Sequence, residues 1–228
     1  MNTVVIRIIC LAAGYLFGMF ETGYFVGKLF GIDIRKEGSG NTGTTNALRV
    51  LGKKAGLMVF LGDLIKTITP VLLCYFIFRE SFPEGCYLVK FYAGLGAILG
   101  HNFPFYLKFK GGKGIAALAG LIFSLHWMYI PVAFVVFFSL FALTNYVSLG
   151  SLCMAFVFFI QTLLMGYLGV FKAYGGAGIA FPIILEMGII AFIICAMAFI
   201  RHRENIKRLL KGEERKTYLF KKNKEEVR

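Results

Sequence analysis

The sequence predicts an all-α integral membrane protein, a compact bundle of about seven transmembrane helices with the N-terminus outside and the C-terminus in the cytoplasm. Three observations predict this fold class. Hydrophobic residues make up 58% of the 228 residues, they form long runs, and the basic residues concentrate in three polar segments. About 20 apolar residues span a bilayer as a helix, and a helix satisfies its own backbone groups in lipid.

The predicted spans follow the apolar runs of the chain. The first run resembles a signal peptide, but it lacks a convincing cleavage site and is long, so we interpret it as a span. We divide the stretch 114–145 near His126, Trp127 and Pro131, because aromatic residues and proline suit an interfacial turn. The predicted runs are 4–30, 55–78, 86–107, 114–126, 129–145, 147–170 and 179–200.

The distribution of Lys and Arg predicts the orientation. Five lie in segment 31–54, three in 106–113 and eleven in 201–228, and seven spans place these segments on one face. By the positive-inside rule this face is cytoplasmic, since the opposite loops are poor in basic residues. The net charge of +13 does not indicate nucleic acid, because eleven of the 25 basic residues directly follow the last apolar run. Such residues suit contact with anionic membrane lipids.

We expect one membrane domain over residues 1–216 and a basic, flexible cytoplasmic tail over 217–228. The five cysteines are odd in number, and no pair has metal-ligand spacing. The sequence therefore predicts neither a disulfide framework nor a metal site, and it indicates no cofactor.

A loop rich in Gly, Ser, Thr and Asn follows the first span. It extends from Gly38 to Asn46, and Arg49 follows. Backbone N–H groups in such a loop can turn toward an anion, and an arginine offers a fork suited to phosphate. A flexible loop that caps the next helix through Thr45 or Asn46 is an equally good explanation of these residues alone. The candidate site residues here are Ser39, Gly40, Asn41, Asn46 and Arg49.

A histidine and a glycine–lysine turn precede the fourth span. The segment reads GHNFPFYLKFKGGKG from Gly100 to Gly114. Glycines around a lysine at the start of a helix resemble an anion-binding turn, although a Walker A loop has Ser or Thr where this chain has Gly114. A tight turn within a positive-inside charge cluster is the simpler alternative. The candidate site residues here are His101, Asn102, Lys110, Gly111, Gly112, Lys113 and Gly114.

The segment after the last span predicts an amphipathic helix that ends at Gly212. His202 and Asn205 share its inward face with Ile206 and Leu209. An interfacial helix accounts for the basic residues, but it does not explain a histidine and an amide on the inward face. The candidate residues here are His202, Asn205, Arg208 and Glu213.

Two ionisable residues lie within the second span. Asp63 and Lys66 are one helical turn apart. Intramembrane charges are costly and often mark function, but a mutually neutralising pair explains these two as well. We therefore assign Asp63 and Lys66 a structural role.

The three polar segments resemble, in order and spacing, the three motifs of the bacterial PlsY family, the acyl-phosphate:glycerol-3-phosphate acyltransferases. The matching text is GSGNTGTTNALRVLG, GHNFPFYLKFKGGKGIA and HRENIKRLLKGEE. The resemblance implies a seven-helix enzyme of the bacterial cytoplasmic (inner) membrane with its active site on the cytoplasmic side. It implies transfer of a fatty acyl group from acyl phosphate to the sn-1 hydroxyl of glycerol 3-phosphate, which gives lysophosphatidic acid in phospholipid biosynthesis. The enzyme that produces acyl phosphate is then a further candidate partner.

The resemblance also implies roles for individual residues. The glycines Gly111, Gly112 and Gly114 match the acyl-phosphate-binding turn, and Glu213 matches a structural carboxylate. Two supporting positions depart from the family pattern, at Thr67 and in the segment 115–117, and they put local helix packing in doubt. The residues that match catalytic positions are Ser39, Arg49, Lys113, His202 and Asn205.

A membrane transporter of organic phosphates is the alternative function, because it also needs basic groups near broken helices. The lack of repeat symmetry and the location of all polar motifs on one face argue against it. The chain has no His-x4-Asp pair of the kind that other glycerolipid acyltransferases use. The proton acceptor stays open between His202 and a substrate phosphate.

Overall fold

Ten α-helices make up most of residues 1–218, which are the part of the chain that the computed structural model describes. Four segments within this part are long and apolar enough to cross a membrane, namely Thr3–Leu29, Lys53–Phe78, Val147–Tyr167 and Phe181–Arg201. The structure confirms the predicted all-α class. The helices are α1 (Thr3–Gly18), α2 (Thr22–Leu29), α3 (Thr44–Leu51), α4 (Lys53–Phe78), α5 (Cys86–Asn102), α6 (Ile115–Leu125), α7 (Tyr129–Thr144), α8 (Val147–Tyr167), α9 (Phe181–Arg201) and α10 (Arg203–Leu210).

The connections between the helices collect at two ends of the bundle. At one end the Tyr174 N–H donates to the Pro83 carbonyl at 3.0 Å, which joins the α4–α5 and α8–α9 connections. At the other end the Thr217 N–H donates to the Asn145 carbonyl at 2.9 Å, and Arg49 contacts the same threonine. We call this second end the site end, because all three motif segments lie there. The chain passes between the ends seven times when α1 and α2 count as one passage.

The predicted division of the stretch 114–145 is confirmed. Helix α6 ends at Leu125 and α7 begins at Tyr129, so the turn contains His126 and Trp127. Their rings stack with centroids 5.9 Å apart. An aromatic pair of this kind suits the boundary between lipid and water.

The first apolar run, which we predicted as one span over 4–30, is broken at residues 19–21. Side chains from other helices and loops take the carbonyl groups that the break releases. The Tyr106 hydroxyl donates to the Met19 carbonyl at 2.8 Å, and the Lys66 ammonium donates to the Phe20 carbonyl at 2.7 Å. An unpaired carbonyl in apolar surroundings is costly, so these partners make the break tolerable. The break also places Glu21 in the interior of the protein.

Small residues bring α1 and α5 into close contact. A Cβ added at Gly14 or Gly18 would overlap the backbone of α5, and one added at Gly96 or Gly100 would overlap the backbone of α1. Close backbone approach through small residues is a common way to pack helices in membranes. This packing holds the end of α5, which carries His101, beside the break in the first span.

Candidate functional site

A cavity of about 560 Å³ opens at the site end of the bundle. One wall is polar and comes from the segments 38–49, 113–114 and 202–215. The other wall is apolar and comes from α6, α7 and α8, with side chains such as Phe123, Phe134 and Phe138. The cavity therefore offers an anion-binding end and a hydrocarbon-binding end in one continuous space.

Most of the predicted site residues line this cavity, while the remainder lie behind its walls or on another surface. Lys66 and Asn102 are buried beneath the cavity, and Gly40, Lys110 and Gly111 line a different surface. The predicted residues that line the cavity are Ser39, Asn41, Asn46, Arg49, Asp63, His101, Lys113, Gly114, His202, Asn205 and Arg208.

A chain of hydrogen bonds connects Lys113 to a buried carboxylate. The Lys113 ammonium donates to the Asn205 side-chain oxygen, and the Asn205 amide nitrogen donates to Glu214 Oε1 at 2.6 Å. A carboxylate only accepts, so Glu214 fixes the orientation of the Asn205 amide. Burial lowers the pKa of Lys113 to about 8, with Glu214 opposing and Arg208, Arg201 and Arg49 adding to this effect.

The structural carboxylate of the third motif is Glu214, and the prediction of Glu213 is wrong. Glu213 is exposed, whereas Glu214 is buried and also accepts from the Ser148 hydroxyl at 2.9 Å and from Arg208 Nε at 2.8 Å. Burial alone would raise the pKa of Glu214, but hydrogen bonds from Asn205, Ser148 and Arg208 hold it below its usual value. Gly212, with φ of 72°, ends α10 and turns the chain so that Glu214 points inward.

Arg49 projects from α3 into the cavity and is held from one side. Its Nη2 donates to the Thr217 hydroxyl at 2.6 Å and to the Arg215 carbonyl at 3.0 Å. Burial lowers the pKa of Arg49, but an arginine stays charged in proteins. The predicted flexible tail begins at Thr217, and this boundary is wrong, because Thr217 is buried against Arg49. Residues 219–228 of the predicted tail lie outside the described residues.

His202 is buried at the end of α9 and presents one ring nitrogen to the cavity. Its Nδ1 lies 2.7 Å from the Ala198 carbonyl oxygen. A carbonyl only accepts, so Nδ1 carries the proton and Nε2 keeps its lone pair in the neutral ring. Burial and the charge of Lys113 lower the pKa of His202 to about 4. The imidazole is therefore neutral at physiological pH and able to accept a proton.

The glycine turn differs from the predicted anion-binding turn in which of its N–H groups are free. The N–H groups of Gly111 and Gly112 are occupied, since they donate to the carbonyls of Asn102 and His101 at 3.2 and 3.0 Å. A Cβ at Gly112 would overlap the His101 ring, so this glycine is needed for close packing. The donors that face the cavity lie at the start of α6, where Gly114 has φ of 81° and the first N–H groups have no intrahelical partner.

The first-motif loop is held in shape by one of its own amides. Asn46 accepts from the Ser39 N–H at 2.8 Å and donates to the carbonyls of Ile34 and Glu37 at 3.3 and 3.0 Å. All of its polar atoms are thereby occupied, so Asn46 shapes the loop and is not a free substrate ligand. The Ser39 hydroxyl makes no hydrogen bond within residues 1–218 and lines the cavity.

A buried charged cluster beneath the cavity includes a residue that sequence reasoning missed. Glu21 is fully buried, accepts from the Thr42 hydroxyl at 2.6 Å, and lies 3.4 Å from His101 Nδ1. The Lys66 ammonium lies 2.8 Å from Asp63 Oδ1 and 2.9 Å from His101 Nδ1. The cluster joins the first motif to the second. Glu21 is a carboxylate at the end of an apolar run, and this is the sequence feature from which it could have been predicted.

Known proteins are similar to this chain over nearly its whole length. A family model described as glycerol-3-phosphate acyltransferase matches residues 8–212. A glycerol-3-phosphate acyltransferase from Thermotoga petrophila is 39% identical over 210 residues, which cover 92% of this chain and 95% of the relative. A protein of the same name from Macrococcus caseolyticus is 41% identical over 207 residues, which cover 90% of this chain and 94% of the relative.

Solved structures show the same fold. The crystal structure of PlsY, an integral membrane glycerol 3-phosphate acyltransferase, in its glycerol 3-phosphate form has a TM-score of 0.76 and 33% identity, and covers 97% of this chain and 99% of that one. Its lysophosphatidic acid form has a TM-score of 0.73 and 33% identity, and covers 93% and 95%. The chain therefore belongs to the PlsY family of integral membrane glycerol-3-phosphate acyltransferases.

Proposed function

We propose that this protein transfers a fatty acyl group from acyl phosphate to the sn-1 hydroxyl of glycerol 3-phosphate, with lysophosphatidic acid and phosphate as products. The observation that supports the proposal is the cavity with one cationic and one apolar wall. An acyl phosphate needs both walls, and glycerol 3-phosphate needs the cationic one. The related PlsY structures, described as glycerol 3-phosphate and lysophosphatidic acid forms, support the choice of acceptor and product.

The cationic wall offsets the repulsion between two phosphate groups. Arg49, Lys113 and Arg208 line it, together with the start of α6. Two like charges side by side are costly unless fixed cations and dipoles stabilise them. The apolar wall between α6, α7 and α8 would hold the hydrocarbon chain, so that the acyl carbon lies where the two walls meet.

The reaction needs one bond to form, one to break and one proton to move. The sn-1 hydroxyl oxygen attacks the acyl carbon, and the bond from this carbon to the phosphate oxygen breaks. Phosphate leaves with the electron pair, and we assign the hydroxyl proton to His202 Nε2. The support for this assignment is the hydrogen bond from Nδ1 to Ala198, which leaves Nε2 unprotonated.

We expect the purified protein in detergent to release phosphate from acyl phosphate only when glycerol 3-phosphate is present. Acyl-CoA should be a poor donor, because the chain has no His-x4-Asp pair of the kind that other glycerolipid acyltransferases use. Phosphate release and lysophosphatidic acid are measured together. A Lys113→Met variant serves as the control. Equal rates with acyl-CoA would contradict the donor assignment, and an absence of phosphate release would favour the transporter.

The choice of donor also implies an enzyme that produces acyl phosphate as a partner.

We expect kcat/KM to fall as the pH rises through about 8, because the Lys113 ammonium then loses its proton. Both substrate phosphates are already dianions at that pH, so the change reports the protein. An acid limb at about pH 6 should come from the second ionisation of the substrate phosphate and should persist in His202→Gln, since His202 has a pKa of about 4. The measurement is kcat/KM against pH in detergent.

Lys113→Arg is the control for this pH profile, because it should move the alkaline limb upward. A limb near pH 6.5 that disappears in His202→Gln would contradict the assignment of a neutral, buried base.

We also propose that the site end faces the cytoplasm, which the clustering of basic residues there supports. Single cysteines at Lys36, Lys110 and Lys211, in a background without native cysteines, should resist impermeant thiol reagents in intact cells. All three positions are exposed at the site end. Cysteines at Glu84 and Lys172, exposed at the opposite end, should react and serve as the control. Labelling of a site-end position from outside would contradict this orientation.

A further inference from the structure

A second concave surface lies on the other side of the segments that wall the catalytic cavity. It encloses about 620 Å³ and shares two segments with the cavity. In the first motif Gly40 lines this surface, whereas Ser39 and Asn41 line the cavity. In the second motif Gly111 lines this surface, whereas Lys113 lines the cavity. We call it the basic bowl, and its charged residues are Asp33, Arg35, Lys36, Lys108, Lys110 and Arg201.

The two arginines of the basic bowl are held in place, and each keeps one free nitrogen. Arg35 donates through Nε and Nη2 to the Asp33 carboxylate at 2.9 and 2.7 Å. Arg201 donates through Nε to the Gly112 carbonyl at 3.0 Å and through Nη2 to the Gly111 carbonyl at 2.7 Å. Neither Nη1 atom has a hydrogen-bond partner within residues 1–218. The guanidinium groups are therefore preorganised to receive a further acceptor.

The three lysines add positive charge that the described part of the chain does not neutralise. Within residues 1–218, Lys36, Lys108 and Lys110 form no ion pair, and the single carboxylate of the bowl is already taken by Arg35. Lys108 and Phe109 have φ of 54° and 59°, which is rare for residues other than glycine. A turn closed by hydrogen bonds from Leu107, Lys108, Phe109 and Lys110 holds them there. The positions of the two loop lysines are thus set by the fold.

The rim of the basic bowl carries aromatic side chains suited to the membrane interface. Phe105 and Phe109 flank its lining residues and are exposed by 55% and 59%. Exposed aromatic rings beside basic residues are typical of contact with lipid headgroups. The backbone N–H groups of Gly40 and Gly111 donate to other carbonyls, so side chains alone would hold a ligand.

We propose that the basic bowl binds a nearly dianionic phosphate group at the membrane surface, either the monoester headgroup of a lipid or free inorganic phosphate. Five cations from three separate segments converge there around one paired carboxylate. A phosphate monoester carries nearly two charges at neutral pH, whereas a phosphodiester carries one, so the cluster favours the monoester. The positive-inside rule accounts for basic residues on a face, but it does not require them to converge on one concave surface. The proposal does not depend on the identity of the acyl donor.

The test compares two triple variants with the same change in charge. One is Lys36→Gln/Lys108→Gln/Lys110→Gln in the bowl. The control is Lys54→Gln/Lys207→Gln/Lys211→Gln, whose residues are exposed at the site end but outside the bowl. Both carry Lys113→Met, which disables the catalytic phosphate site, and both are checked by gel filtration. Binding of phosphatidic acid, phosphatidylglycerol and inorganic phosphate is measured in nanodiscs of phosphatidylcholine.

We expect the bowl variant to bind phosphatidic acid more weakly than the control by on the order of tenfold to a hundredfold. If the two variants differ in their affinity for inorganic phosphate but not for phosphatidic acid, the ligand is a free phosphate, and the proposal stands. The proposal is overturned if both triple variants lose the same affinity for phosphatidic acid relative to Lys113→Met alone. It is also overturned if phosphatidylglycerol binds as tightly as phosphatidic acid, because the bowl would then attract any anionic lipid. If neither phosphatidic acid nor inorganic phosphate binds, the proposal is overturned as well.

Discussion

Arg49→Lys is expected to lose most of kcat while the protein stays folded. The guanidinium of Arg49 is fixed from one side by Thr217 and Arg215, so its remaining nitrogens face the cavity in a set geometry. An ammonium keeps the charge but not the planar fork, and the fork matters most as charge moves onto the leaving phosphate. Loss of one such contact costs on the order of 2 to 4 kcal/mol, or about 30- to 1000-fold in rate.

Two control variants separate this effect from a change in packing. Thr217→Val removes the hydroxyl that receives Arg49 Nη2, and it should lower kcat far less than Arg49→Lys does. Arg203→Lys changes an exposed arginine at the same end and should leave kcat unchanged. Expression level and gel filtration in detergent establish that each variant is folded. A folded Arg49→Lys protein with nearly native kcat would show that Arg49 only sets membrane orientation.

Glu214→Gln is expected to destabilise the protein and to impair catalysis together. The Glu214 carboxylate accepts hydrogen bonds from Asn205, Ser148 and Arg208. A glutamine amide has only one acceptor oxygen. Its NH2 group, which is a donor, would therefore face the donor of at least one of these three residues. Breaking such a buried network lowers the free energy of unfolding by about 2 to 4 kcal/mol. The contribution of Arg208 is smaller, because its side chain reaches solvent. The unfolding temperature in detergent and kcat/KM measure the two effects.

Glu213→Gln is the matched control for Glu214→Gln, since the two residues are neighbours and carry the same charge. Glu213 is exposed, so its substitution should change stability by less than about 0.5 kcal/mol. A positioning role for Glu214 has a further signature in the pH profile. Glu214 raises the pKa of Lys113, so its neutralisation should move the alkaline limb to lower pH. Loss of stability with an unmoved limb would mean that Glu214 acts in folding alone.

The positions of the helices followed from the sequence because lipid imposes a simple local rule. A run of apolar residues of the right length must form a helix to satisfy its backbone, and this rule needs no knowledge of neighbours. The division at His126 and Trp127 was predictable because aromatic residues prefer the membrane interface, whereas Pro131 lies within α7. The break at residues 19–21 was not, because it depends on Tyr106 and Lys66, which lie far away in sequence.

The orientation of adjacent residues in a turn also depends on the tertiary structure. Glu213 and Glu214 have the same chemistry and stand side by side, and the turn at Gly212 decides which of them faces the interior. The same applies to the glycine turn, where the N–H groups of Gly111 and Gly112 bond to α5 and the free donors lie at the start of α6.

The sequence by itself determined the membrane class, the number of passages and the three polar segments that meet at the site end. Apolar length, charge distribution and residue type are properties of short stretches, and they suffice for these conclusions. The tertiary structure alone decided which polar atoms remain free for a substrate. Each hydrogen-bonding group has few partners, and burial makes an unpaired group costly, so the fold assigns most of them to each other. Ser39, Arg49, Lys113 and His202 face the cavity, whereas Asn46 and Gly112 were already engaged within the protein.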